Sequence, residues 1–152
     1  MAYITREARQ QLLDSVAEAI EHLGLSLAAL GTAYEQLDER TADRLEDDLF
    51  GPVQRAYGRA RRAHSGFAQR HGLPARTFEP VAPRAASHGV AGLVGMAVEA
   101  VADADDTLAE LQDSMMPVEV GDPELRAGLA EVREALGDVA ERARAFMRVL
   151  GR

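Results

Sequence analysis

Residues 12–37 read "LLDSVAEAIEHLGLSLAALGTAYEQL". Within them Leu13, Val16, Ile20, Leu23, Leu27, Leu30, Tyr34 and Leu37 recur at steps of 3, 4, 3, 4, 3, 4 and 3. Alternating steps of three and four keep apolar side chains on one stripe of a helix, whereas a half-buried strand needs alternation every second residue. The run predicts one long helix over about 5–39, roughly 50 Å at 1.5 Å per residue. A stripe of that length has to be buried against other helices.

The rest of the chain supplies them. Leu125, Leu129, Val132, Leu136, Val139, Ala143, Phe146 and Leu150 make a second clean seam, opened by Asp122 as N-cap and Pro123 at the first helical position. This predicts a helix over about 122–150. Val90, Val94, Ala97, Val101, Ala104, Leu108, Leu111 and Met115 predict another over about 87–116, with Ser87 as its cap. Leu49, Val53, Ala56, Ala60, Ala63 and Phe67 mark a weaker, alanine-rich seam over about 41–72. There Gly51-Pro52 predicts a kink, because proline removes a backbone donor and disfavours helix in the residue before it. The segment 73–87, "LPARTFEPVAPRAAS", carries three prolines and reads as an extended strap. No strand alternation or internal repeat stands out. The expectation is all-α: a single domain over 1–152, an antiparallel up-down-up-down four-helix bundle.

Composition narrows the chemistry. The chain has 152 residues and a formal charge of −8, with no Cys, so disulfides, thiolate metal sites and cysteine nucleophiles are excluded. Every basic residue is Arg, and Lys, Asn and Trp are absent, the codon bias of a high-GC bacterial genome. The opening "MAYITREARQ" has Arg6, Glu7 and Arg9 where a signal peptide needs an apolar run, and no stretch approaches the roughly twenty apolar residues of a membrane span. A cytoplasmic, membrane-independent protein is expected.

Against this acidic background, residues 55–71, "RAYGRARRAHSGFAQRH", hold five arginines and two histidines without one carboxylate. In an up-down-up-down bundle, Arg59, Arg62, Arg70, Arg84, His64, His71 and His88 gather near one end, beside Tyr57. Most carboxylates, Asp43, Asp48, Asp106, Asp122 and Glu124 among them, gather at the other. Such a basic end is a candidate site for a small anion or an acidic protein, formed by Tyr57, Arg59, Arg62, His64, Arg70, His71, Arg84 and His88. Nucleic acid is disfavoured, because the opposite end would repel a long duplex and no nucleic-acid motif is present. Phe50, Tyr57, His64 and His71 recur every seven residues, an aromatic edge against a neighbouring helix, with Ala56, Ala60 and Ala63 leaving room beside it.

Catalytic signatures are missing. Di-iron bundles use Glu-x-x-His pairs, but Ala19, Arg61, Ala68 and Ala85 stand three residues before the four histidines. No nucleophile elbow or phosphate loop occurs. No metal, cofactor or catalytic residue is expected. Leu25, with Ala28 and Ala29, lies off the first seam and suggests a homodimer through that face. The function expected is a non-enzymatic helical interaction or scaffold protein with a charge-polarised bundle. A small-ligand or anion-binding bundle is the alternative, and a metal-centre enzyme comes after it.

Overall fold

The structure is a computed structural model that describes residues 2–79 and 89–151. Among these the chain is all-helical: α1 Ala2–Glu35, α2 Glu39–Leu45, a π-helical turn Glu46–Phe50, α3 Gly51–Arg70, α4 Val90–Asp113, α5 Met116–Glu119, α6 Pro123–Leu136 and α7 Val139–Leu150. The helices pack as a bundle around one core. The seams are what it buries: Leu13, Val16, Ile20 and Leu23 of α1, Val53, Ala56, Ala60 and Phe67 of α3, Ala104 and Leu108 of α4, and Leu125, Leu129, Val132 and Phe146 of the last segment.

Helix ends follow local chemistry. Asp38 caps α2 and Asp122 caps α6, each accepting a backbone N–H at 2.8 Å, from Thr41 and Leu125. The expected interruption at Gly51-Pro52 is a widened turn, in which the Gly51 N–H reaches back to the Glu46 carbonyl. Widening makes room where the proline ring would clash with the carbonyl four residues earlier, so the helix runs on through residue 70. The last predicted helix is divided at Gly137-Asp138, yet its seam continues through buried Val139 and Ala143. Gly89, not Ser87, precedes α4; Ser87 lies outside the described residues.

The order of helix directions is not up-down-up-down. Arg9 Nε donates to the Val120 carbonyl at 3.0 Å and Ser26 Oγ to the Ala97 carbonyl at 3.0 Å, so α1 and α4 run oppositely. Arg6 donates to the Gly72 carbonyl at 3.2 Å while Gly24 lies beside Tyr57, so α1 and α3 run oppositely too. Hence α3 and α4 point the same way, and α6 returns antiparallel to both, tied by Arg70 to Asp122 and by Arg133 to Asp105. The directions are up-down-down-up. The connection over 71–89 permits this: extended, it can span roughly 60 Å, twice the roughly 30 Å rise of α3. Its described part climbs from Gly72 beside Arg6 to Arg76, paired with Glu21. In the bundle, α3 and α4 sit diagonally, each packed against α1 and α6.

Candidate functional site

The changed directions dissolve the basic end. Arg70 meets both oxygens of Asp122, at 2.8 and 2.9 Å, and Glu124 at 2.8 Å. His71 Nε2 lies 2.9 Å from the same carboxylate. Arg59 is ion-paired with Glu131 of α6. Arg70, expected at one end, and Asp122 and Glu124, expected at the other, are therefore partners, and Asp122 is a hub that caps α6 and ties down the end of α3. Burial alone would raise its carboxyl; the bonds from Arg70, Leu125 N–H and His71 outweigh that and hold it well below the usual carboxylate range. Asp122 correspondingly raises the Arg70 guanidinium.

The described members of the expected anion-binding set lie on two flanks of α3. Arg59, Arg62 and Arg70 share the side of α3 turned toward α6, and of these Arg62 is exposed and without an ion pair among the described residues. Tyr57 and His64 lie on the flank facing α1 and the strap. Arg84 and His88 lie outside the described residues. The space expected beside Ala56, Ala60 and Ala63 is filled, since all three are buried. Gly128 of α6 makes the close approach possible, because a Cβ there would stand 3.1 Å from the Ala63 Cβ.

The flank toward α1 is less ordinary. His64 is 3% exposed, and its Nδ1 has no hydrogen-bond partner among the described residues. The Phe78 ring of the strap meets it edge-on, centroids 5.3 Å apart. Burial pushes the imidazole pKa down, Arg76 adds to this, and Asp14 opposes it. Beside this pair a cleft of about 440 Å³ opens between α1 and the strap, walled by Ile20, Leu25, Tyr57, Arg76 and Phe78. Leu25 is 48% exposed there. Arg61 lies over the Tyr57 ring and Arg76 over Phe78, at 5.4 and 5.3 Å.

A feature the sequence reading passed over lies on α4. Glu99, Asp103, Asp106, Glu110 and Asp113 follow one another at steps of 4, 3, 4 and 3, and all are exposed. That spacing aligns them on one stripe roughly 21 Å long. None forms an ion pair with a described residue. Asp105, off the stripe, takes Arg133, whose field reaches Asp106 and Asp113 at longer range. The step pattern was readable, but assigning these acids to one end of a rod hid that they form one side.

The described residues contain no group of three or more His, Asp or Glu placed to hold a metal ion. Glu18 and His22, one helical turn apart, stand 3.9 Å from each other on the surface. No described helix is long and apolar enough to cross a membrane. No family model matches the chain, and comparison with curated proteins and with solved structures returns no match.

Proposed function

We propose that the protein is a non-enzymatic helical interaction protein that associates with itself through oppositely charged sides. One observation supports this reading above the others: charge is segregated between the two diagonal helices. α3 carries Arg55, Arg59, Arg61, Arg62 and Arg70 and no carboxylate, while α4 carries Glu99, Asp103, Asp105, Asp106, Glu110 and Asp113 and no basic residue. Arg55, Arg59 and Arg62 repeat the 4, 3 spacing of the acidic stripe. Arg59 and Arg70 are partly engaged by α6, leaving Arg55, Arg61 and Arg62 exposed and without an ion pair among the described residues.

Energetics favour a partner for the stripe. Like charges three or four residues apart destabilise a helix by roughly 0.2–0.5 kcal/mol per pair. Four successive pairs on α4 therefore cost the free protein roughly 1–2 kcal/mol, relieved when a basic helix lies alongside. Each exposed pair across such a contact contributes about 0–1 kcal/mol, and the overall charge of −8 opposes association. The contact is weak and operates at high local concentration.

Geometry sets the form of the assembly. The two charged helices lie on opposite sides, so one two-fold contact cannot satisfy both. α3 of one copy against α4 of the next is a head-to-tail contact that leaves a free side at each end. The symmetric alternative is a homodimer through the outer face of α1 around Leu25.

Sedimentation of the protein at high concentration separates these. Head-to-tail association gives a mass that rises with concentration beyond the dimer at about 0.01 M salt and falls to monomer near 1 M, where charges are screened within about 3 Å. Arg55→Glu with Arg62→Glu abolishes it. Mixing that variant with Asp103→Arg/Asp106→Arg restores a complex between the two. A salt-resistant dimer lost on Leu25→Glu puts the contact on α1 instead. A monomer under every condition overturns self-association.

A further inference from the structure

We propose that the strap segment 73–79 is a pH-released cover over the α1–α3 cleft, with His64 as its trigger. The proposal is independent of self-association and rests on how the ring is enclosed. His64 is buried at 3% exposure with Nδ1 unpartnered among the described residues, and Phe78 is the strap side chain lying on it. A neutral imidazole tolerates this enclosure; an imidazolium has two N–H donors and a charge to satisfy. Among the described residues the charged groups facing the ring are Arg76 from the strap, which repels a second cation, and Asp14 from α1, which offsets this in part. The α6 carboxylates that reach α3, Asp122, Glu124 and Glu131, are engaged by Arg70, His71 and Arg59. On α3 itself Arg61 is turned to Tyr57.

Protonation requires water at the ring, so one wall has to yield. α3 is held by buried Ala56, Ala60, Ala63 and Phe67 and by the Asp122 hub at its end. Leu73 anchors the start of the strap, buried in the core with its N–H on the Ala68 carbonyl at 2.8 Å. Beyond it the described strap is held by less: Arg76 pairs with Glu21 at the surface, and half-buried Phe78 rests on His64. Among the described residues no backbone hydrogen bond ties 74–79 to the helices. Local opening takes the least-bonded segment first. Release of the strap lets water reach His64 and opens Tyr57 and Ile20, which join the already exposed Leu25 as one apolar surface.

The sign follows from the direction of the shift. Burial lowers the closed-state pKa of His64, while the open state has an ordinary imidazole near 6.5. Closure is therefore fully favoured above about 6.5. It weakens as pH falls from there through the closed-state value, by up to tenfold per pH unit.

The test is an NMR titration of the full chain from about pH 8 to about pH 5, following the ring signals of His64 and Phe78. Expected is a single coupled transition with its midpoint below that of a free histidine, in which Phe78 leaves its ring-current environment while α3 amides hold. In His64→Gln the Phe78 transition disappears. In Phe78→Ala, where the cover is already gone, His64 titrates at an ordinary midpoint. That variant decides the matter even where His64→Gln does not fold. Phe78 signals that ignore His64 titration, a transition that survives His64→Gln, or a still-depressed His64 in Phe78→Ala each overturn the proposal.

Discussion

Asp122 concentrates more of the fold than any other polar side chain described. It caps α6, accepts from Nε and Nη2 of Arg70 and meets His71, so its removal opens several contacts together. Loss of an N-cap costs about 0.5–2 kcal/mol, and stranding Arg70 and His71 adds to it. Asp122→Ala is expected to lower stability by about 2–4 kcal/mol in urea unfolding. Asp122→Asn, which keeps an acceptor for Leu125, costs about half of that. The carboxyl pKa is depressed in the folded protein, so its contribution is full above the unfolded value near 3.9 and is lost as pH falls below it. An acid titration of helicity at 222 nm should show this loss in wild type and not in Asp122→Asn. One position earlier, Gly121 allows the chain to pass over α5. A Cβ there would stand 2.3 Å from the Pro117 carbonyl oxygen, so Gly121→Ala is expected to cost roughly 1–3 kcal/mol in the same unfolding assay.

On α4 a single charge change tests energy and association together. Glu110→Arg converts two like-charged steps, to Asp106 and Asp113, into opposite-charged ones. The isolated protein should gain about 1–2 kcal/mol by thermal or urea unfolding. The same change should weaken low-salt self-association. A gain in both would separate the stripe from any partner. The elements themselves were legible in the sequence, because steps of three and four depend only on neighbours along the chain. Leu13 through Leu30, Val53 through Phe67 and Leu125 through Phe146 fell inside as their spacing required, with Leu27 half-buried. The seven-residue interval of Phe50, Tyr57, His64 and His71 also marked a partly enclosed aromatic edge. Direction was not legible, since an apolar seam looks alike read either way. The one signal was the length of the connection after α3, far more than a tight turn needs. Misreading it moved Asp122 and Glu124 away from Arg70.

Taken whole, the molecule is polarised across its width, with arginines along α3 and carboxylates along α4. Such a molecule orients beside a charged neighbour before it touches it, and that steering fades as salt shortens the reach of the field. The crossover that places these helices diagonally also sets what can fold alone. α1 packs most extensively against α4, and α3 against α6, so residues 1–79 hold two helices whose chief partners are in the other half. That fragment is expected to show weak helicity by circular dichroism. Mixed with 89–152 at high concentration, it should regain the full helical signal with a cooperative melt, because the cut falls within the strap. For a chain emerging from the ribosome, the first helix leaves the exit tunnel some eighty residues before the end of α4 does. Until then its Leu12–Leu30 stripe has only α3 of its two main partners to pack against, so part of it stays open to water for as long as that length of synthesis takes.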